Sequence, residues 1–330
     1  MKKIANDLPE KLALSVAINH TTDYILTSLT TSPSAIQPIT AHLATSLGKG
    51  IRTRLLMTCA IDESGLVPKN AIYAGAAVEI FHMATLVHDD IIDEADTRRN
   101  IQSVHARFGK KEAVICGDYL LCVALRIVSF IGAPYIGLVE KFAQIVERVC
   151  LGELRQLSNN YNTDITLFDY LRIIRGKTAA LFYVSAYAGG LLAAEDPNSP
   201  AAAKEIRQLS QFGTQLGMLF QMIDDCKDYM LSEAEALKPT KKDIATGVIN
   251  LPLLMAFLRK PELRPLVKEA MADIAKHYMI FDEVARLGGV SDAYEMIDRY
   301  ERKAQNILSL LKNRKKAEAL KTLLEATTKK

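Results

Sequence analysis

Two short acidic runs hold the residues of this chain that could do chemistry. The first, Val87-His88-Asp89-Asp90-Ile91-Ile92-Asp93-Glu94-Ala95-Asp96, packs five carboxylates into eight residues at the end of an apolar stretch. The second, Asp224-Asp225-Cys226-Lys227-Asp228, repeats the D-D-x-x-D spacing behind the apolar positions Phe212, Leu216, Leu219 and Phe220. With 19 Asp in 330 residues, chance yields this pattern about 0.06 times, and two copies only about 0.002 times. Acids four apart lie on one helix face with Cβ atoms about 5–6 Å apart and repel each other, so each run needs a positive partner. Mg²⁺ demands octahedral oxygen ligands at about 2.0–2.1 Å and keeps its waters. Two carboxylates cannot fill that shell, but carboxylates and a phosphate together can. The expectation is two acidic helix ends facing each other across a cleft, with Mg²⁺ and a polyphosphate between them. The plain alternative is two solvated helix ends. An EF-hand is excluded, because neither run has the D-x-D-x-D-G spacing.

A diphosphate also needs cations. Arg98 and Arg99 directly follow the first run, and guanidinium forks grip phosphate oxygens at two points. Other candidates are Lys49 and Arg52 in Gly48-Lys49-Gly50-Ile51-Arg52, Lys177 in Gly176-Lys177-Thr178, and Lys238 in Lys238-Pro239-Thr240. Taken singly, each reads as a surface charge. Gly176-Lys177-Thr178 is not a nucleotide-binding P-loop, since the position five before Gly176 is Leu171 rather than Gly. His82 shares the face of Asp89 two turns down, where a lone His is by default a satisfied core residue.

These residues must be positioned by helices. Apolar side chains recur at helical spacing through Ile72, Ala76, Ile80, Met83 and Val87, and again through Ile206, Leu209, Phe212, Leu216 and Leu219. Strand-like alternation is nearly absent. Breaks fall at 62–69, 157–166, 195–200, 232–250 and 288–291. Thr166 with Asp169 forms a capping box, and Ser199-Pro200 and Ser291-Asp292 are cap-like openings. Seventeen Gly and eleven Pro are too few for a turn-rich all-β chain, and 49% hydrophobic with 24% charged excludes disorder. The expectation is one all-α domain over residues 1–330, an antiparallel bundle of about a dozen helices.

The ordered series resembles the trans-isoprenyl diphosphate synthases, the polyprenyl chain-elongation family, of medium- to long-chain type. It runs from Gly48-Lys49-x-x-Arg52 through Glu79-Ile80-Phe81-His82 to the first acidic motif with Arg98-Arg99. Gly117-Asp118-Tyr119-Leu120-Leu121 and Gly176-Lys177-Thr178-Ala179 follow. Phe220-Gln221-x-x-Asp224-Asp225-x-x-Asp228-Tyr229 and Lys238 to Pro252 complete it. The resemblance implies a helical bundle around a deep central cavity. It implies an allylic diphosphate held by Mg²⁺, three ions with substrate bound, on Asp89, Asp90, Asp93, Asp224, Asp225 and Asp228, aided by Arg98, Lys177 and Lys238. Isopentenyl diphosphate would take Lys49, Arg52, His82 and Arg99, and oxygens of Thr178 and Gln221 would stabilise the allylic cation. It further implies a homodimer, or a heteromer with a small partner subunit, and a peripheral membrane contact for product release.

Product length follows from helix geometry. Ala84 and Thr85, five and four before Asp89, are small where short-chain members commonly carry an aromatic stopper. Phe81 lies about 12 Å down the axis as a lower floor. The expected product has roughly five to eight isoprene units, the upper part of that range being what the resemblance alone implies. The chain departs from the family pattern at Gly50 (commonly Arg), Thr53 (Pro), Asn100 (Gly), Lys241 (Gly) and Val248 (Lys). Arg54 stands near enough to replace the missing Arg, and Lys227 could tether the second acidic set or simply be solvated.

Three rival readings have their own signatures. A class I terpene cyclase would not need Lys49, Arg52 and Arg99, nor two full motifs. A non-catalytic subunit of a two-protein synthase would lack the acids, whereas a catalytic subunit that works only with a small partner would keep them. A nucleic-acid binder has only the basic tail in its favour. That tail, 312–330, carries seven Lys/Arg against Glu318 and Glu325, which is +5; the other 311 residues then sum to −2 from a total of +3. It reads as a solvated last helix, so no nucleic acid is expected. Cys59, Cys116, Cys122, Cys150 and Cys226 are odd in number, lack metal-ligand spacing and read as reduced core thiols. No apolar run follows Met1-Lys2-Lys3, so no signal peptide and a cytoplasmic location are expected. Thr178 to Ala194, uncharged, reads as a buried helix.

Overall fold

A computed structural model describes residues 8–132, 135–229, 246–271 and 277–329. Among these residues the chain forms fifteen helices and four two-residue strands. The helices are α1 (Leu14–Thr30), α2 (Gln37–Ala44), α3 (Ile51–Cys59), α4 (Asn70–Ile92), α5 (Val104–Phe108), α6 (Lys110–Ser129), α7 (Gly137–Asn159), α8 (Leu167–Lys177), α9 (Ala179–Ala193), α10 (Pro200–Lys227), α11 (Leu251–Arg259), α12 (Leu263–Ala270), α13 (His277–Arg286), α14 (Gly289–Ser309) and α15 (Arg314–Thr328). Strands β1 (Lys11–Leu12) and β2 (Val67–Pro68) pair antiparallel, as do β3 (Thr97–Arg98) and β4 (Ile101–Gln102). The all-α class is as expected, with a few more helices than the dozen that periodicity suggests.

Contacts group the described residues into two compact units. The first is drawn from Met1–Ile145, Leu181–Gly213 and Leu310–Leu323, and the second from Val146–Ala180, Thr214–Ser309 and Leu324–Lys330.

In the first unit α4 is the core helix, packed against α1, α3 and α6. It is apolar almost all round, which fits burial on every side. By length and composition it could cross a membrane, yet 72% of its apolar window is buried within the protein. Missing side chains bring neighbours close. A Cβ on Gly117 of α6 would collide with the His88 ring of α4, and one on Gly75 of α4 would sit 2.8 Å from Met57 Cε of α3. In the same way α9 meets α3 at Gly189, where a Cβ would strike the Leu56 carbonyl oxygen. Helix α9 is buried as its uncharged sequence suggests, with Phe182, Val184, Ser185 and Ala186 all at 0% exposure.

The end of α4 sets the first acidic run. Asp89 and Asp90 occupy its last turn and Asp93 is its C-cap. The chain leaves through Glu94, in the left-handed region at φ 47°. Glu94 N donates to Ile91 O at 3.4 Å and Ala95 N to Asp90 O at 2.9 Å. This is the paired bonding of a Schellman ending, with Glu where Gly is usual. The β3–β4 hairpin follows, its two-residue turn carrying Arg99 and Asn100 at φ 51° and 65°.

In the second unit, Thr166 and Asp169 form the expected capping box that opens α8. Asn250 caps α11 by accepting from Leu253 N, and α11 packs on α14. Ser199 Oγ accepts from Ala202 N, which opens α10 as expected. Helix α14 begins at Gly289 rather than at Ser291-Asp292, because Gly288 makes the turn at φ 77°. Asp292 then falls in the first turn, where its charge suits the dipole, and it pairs with Arg259.

Two expectations about composition change. Cys59, Cys116 and Cys226 are buried, but Cys122 and Cys150 are exposed, since they fall on the outer faces of α6 and α7. Lys316 is not a solvated tail charge. It is 3% exposed and pairs with Glu205 at 2.6 Å, tying α15 to α10 within the first unit.

Because α9 holds α3 by a contact that admits no methyl group, Gly189→Ala should destabilise the protein by about 1–3 kcal/mol. Chemical denaturation would show this as a lower midpoint with unchanged slope; an unaltered midpoint would mean that α9 and α3 have room to separate.

Candidate active site

Each D-D-x-x-D motif lies at a helix C-terminus, which already carries about half a negative charge from the macrodipole. In both, the middle acid is buried and bonded to protein groups. Asp90 is 3% exposed, and Arg98 Nε donates to its Oδ1 at 2.7 Å. Burial raises the Asp90 pKa while the Arg98 guanidinium pulls it back down. Asp225 is 7% exposed. Its Oδ1 accepts from Gln221 Nε2 at 2.9 Å, and its Oδ2 accepts from the Tyr170 hydroxyl at 2.8 Å and from Leu251 N at 3.1 Å. Leu251 is the first residue of α11, so this carboxylate sits where a helix N-terminus attracts anions. Burial, and then Asp225 itself, drives the Tyr170 pKa well above its ordinary value, which keeps the hydroxyl a donor.

The outer acids are more accessible. Asp93 and Asp224 are exposed, and Asp89 and Asp228 half-buried. Lys227 pairs with Asp224 at 3.2 Å, with both side chains more than half exposed. It is therefore a tether in fact, but one weakened by solvent.

In the second unit Lys177 is held between the two oxygens of Glu153, at 3.0 Å from Oε1 and 2.8 Å from Oε2. Gly152 and Gly176 permit this approach of α7 and α8: a Cβ on Gly176 would stand 3.0 Å from the Gly152 Cα. Thr178 Oγ1 donates to Gln221 Oε1 at 2.7 Å, so Thr178, Gln221 and Asp225 form one hydrogen-bonded line. Lys238 lies outside the described residues, as do Thr240 and Lys241.

In the first unit a cavity of about 200 Å³ is lined by Lys49, Arg54, Arg99, Glu79 and His82, with Gly48, Gly50 and Met83 among its other walls. Three cations against one carboxylate leave it net positive. Arg99 reaches it because Gly48 has no side chain; a Cβ there would sit 2.6 Å from Arg99 Nη2. The left-handed backbone at Arg99 costs about 1–2 kcal/mol. The Arg99 guanidinium is anchored to Ser46 O at 2.8 Å. Gly50 opens α3 at φ 61°, a conformation an Arg would adopt only with strain. Arg54 stands one turn further along α3 and lines the cavity in its place.

Arg52 is buried. It is not among the lining residues but lies 8% exposed, its guanidinium 4.9 Å from the centre of the Phe182 ring and its Nε without a hydrogen-bond partner. Burial, opposed by Glu79 and aided by Arg99, pulls its pKa down to about 10. Glu79 Oε1 in turn accepts from Thr53 N and Thr53 Oγ1 at 3.1 and 3.2 Å, which fixes the start of α3. His82 is kept neutral: burial, then Arg52, Arg99 and Arg98, push its pKa well below the usual imidazole range.

Among the described residues no three His, Cys, Asp or Glu side chains cluster closely enough to hold a metal ion by themselves. What the two motifs offer is hard carboxylate oxygen beside basic side chains, a donor set that fits a divalent cation whose remaining ligands come from phosphate and water.

The family model described as "Polyprenyl synthetase" matches residues 33–285. The chain belongs to that family. Among curated relatives of this polyprenyl synthetase, "Heptaprenyl diphosphate synthase component 2" of Bacillus subtilis (strain 168) is 30% identical over 312 residues, 93% of this chain and 86% of that protein. Among solved structures, heptaprenyl diphosphate synthase from Staphylococcus aureus superposes with a TM-score of 0.87 at 25% identity, over 96% of this chain and 98% of that one. A polyprenyl synthase from Caulobacter crescentus CB15, solved with calcium and isoprenyl diphosphate, gives a TM-score of 0.83 at 25% identity, covering 97% and 98%.

Within this polyprenyl synthetase, sequence reasoning did not single out Glu153, Tyr170 or the Leu251 amide, which hold Lys177 and Asp225. Only Thr166-x-x-Asp169, which starts α8 and so sets the rotation of Tyr170, left a local signal.

His82 gives a pH test. The unfolded chain takes up its proton near an ordinary pKa of about 6.5, while the folded protein resists it, so the unfolded state binds more protons below that pH. Stability from this group is complete above about pH 6.5 and is lost as the pH falls from there. His82→Gln should flatten that fall by as much as one proton, about 1.4 kcal/mol per pH unit. Denaturation midpoints between about pH 7 and 5 would report it, and an unchanged slope would put the imidazole in water.

Proposed function

We propose that this polyprenyl synthetase condenses isopentenyl diphosphate head-to-tail, in trans, onto an allylic diphosphate primer and releases a medium-to-long-chain polyprenyl diphosphate. The observation that supports it best is the pair of acidic helix ends, each with its middle acid locked by protein donors and its outer acids more accessible. Asp93 and Asp224 are the exposed acids and Asp89 and Asp228 the half-buried ones, with Asp90 and Asp225 completing the set and orienting it. These six residues would hold Mg²⁺, which when bound neutralises the diphosphate as its C–O bond breaks.

The chain's own groups share that task. Arg98 and Lys177 are held by carboxylates of the site and offer preorganised positive charge to the allylic diphosphate. Lys49, Arg54 and Arg99, with neutral His82 as a hydrogen-bonding partner, suit the diphosphate of the isopentenyl substrate. Arg52 acts from behind that cavity through its charge. The Thr178 hydroxyl has its proton committed to Gln221, so its oxygen offers lone pairs to an allylic cation.

Product length is set beside α4. Ala84 is buried and small, and Phe81 packs edge-on against Phe142 with ring centres 5.6 Å apart, a firm lower stop for a growing tail. The name of the Bacillus subtilis relative, a synthase component, supports a second reading in which this chain is the catalytic subunit of a pair.

The test is incorporation of labelled isopentenyl diphosphate onto a geranyl or farnesyl primer with Mg²⁺, with sizing of the dephosphorylated products. A chelator should abolish turnover, and Asp89→Ala or Asp224→Ala should lower kcat by about 100-fold or more. Ala84→Phe should shorten the products, and an unchanged length distribution would remove Ala84 from the tail path. No incorporation, with or without a small partner subunit, would overturn the enzyme reading. One cyclised product without isopentenyl consumption would replace it with a cyclase.

A further inference from the structure

Arg98 and Arg99 sit on the β3–β4 hairpin, and a two-stranded hairpin of this length has no independent stability in water. Its turn also forces Arg99 and Asn100 into the left-handed region. Something outside the hairpin must hold its backbone in register. Two groups on one short stretch of chain do so. Ser46 O, just past α2, accepts from the Arg99 guanidinium at 2.8 Å. His42, in α2 and 7% exposed, has its Nε2 2.8 Å from Gln102 O, and Gln102 is the residue paired with Thr97 across the hairpin.

The proton positions on His42 follow from its second partner. Arg107 Nη1 lies 2.9 Å from His42 Nδ1, and a guanidinium can only donate. Nδ1 is therefore the acceptor, the ring is neutral with its proton on Nε2, and Nε2–H donates to the Gln102 carbonyl. The ring is packed edge-on against Phe108 at 5.6 Å, while the Arg107 guanidinium sits 5.3 Å over the same Phe108 ring. His42, Leu43 and Ser46 also line one small cavity with Asp90, Arg98 and Arg99, so α2 borders the cations it braces.

We propose that His42, with its tautomer set by Arg107, is a positioning residue that holds the Arg98-Arg99 hairpin in place for diphosphate binding. The inference rests on the reading that Arg98 and Arg99 bind substrate diphosphates. His42 touches no substrate; it acts through the Gln102 carbonyl and the strand register.

The experiment uses the full chain with geranyl or farnesyl diphosphate, isopentenyl diphosphate and Mg²⁺. His42→Phe keeps an aromatic ring against Phe108 but neither hydrogen bond. It should raise the KM for isopentenyl diphosphate about tenfold, as loss of one buried hydrogen bond would, with kcat changed less than KM. His42→Gln can both donate to Gln102 O and accept from Arg107, and should recover most of the lost affinity. Arg107→Met should mimic His42→Phe, and the double variant should add little to either. Circular dichroism and the thermal midpoint would confirm that each variant is folded. A folded His42→Phe with wild-type KM, or a His42→Gln no better than His42→Phe, would overturn the proposal while leaving the synthase reading intact. A wild-type chain that turns nothing over would instead overturn that reading.

Discussion

Carboxylates at the wrong end of a helix are the constraint around which this protein is arranged. A helix C-terminus presents unsatisfied carbonyls and a partial negative charge. Both α4 and α10 nevertheless carry two aspartates in their last turn and a third just beyond. The structure answers each placement with donors brought from elsewhere: the Arg98 guanidinium for Asp90, and the Tyr170 hydroxyl, the Gln221 amide and the α11 N-terminus for Asp225. The middle acids are thereby fixed, while Asp93 and Asp224 are exposed and Asp89 and Asp228 half-buried.

The cations are positioned with equal economy, and by the absence of atoms as much as by their presence. Arg99 reaches its cavity past Gly48, which has no Cβ to block it. Lys177 sits in the Glu153 carboxylate because α7 and α8 cross at two glycines. His82, its pKa pushed down by burial and by Arg52, Arg99 and Arg98, adds no fourth positive charge to that group. These are short-range steric facts, and small changes to backbone position would undo them.

Much of this was legible from the residues in order. Repeated D-D-x-x-D spacing on helical ground, with Arg98-Arg99 directly behind, pointed to metal and diphosphate chemistry because few other uses tolerate such charge at that spacing. The all-α class was legible because helical periodicity covers most of the chain. What could not be read were the partners far along the sequence: Glu153 for Lys177, 24 residues apart, and Tyr170 for Asp225, 55 apart. Nothing local marks half-buried Glu153 or buried Tyr170 out from other side chains. The α4 ending was hidden for another reason. Glu94 takes the left-handed position usually marked by Gly, and Arg99-Asn100 makes a turn that Asn-Gly would have announced.

By itself the sequence determined the kinds of atoms available, their spacing along each helix, and so the class of ligand they suit; composition and periodicity are local properties that survive without knowledge of contacts. Only the tertiary structure decided which acids are locked and which stay accessible, that Arg54 and not Arg52 lines the cavity, that Lys316 is a buried partner of Glu205 and not a tail charge, and that α2 braces the arginine hairpin. Those outcomes depend on which distant surfaces meet and on how much water their meeting excludes, and burial of that kind sets the charge state and hydrogen bonding of each group.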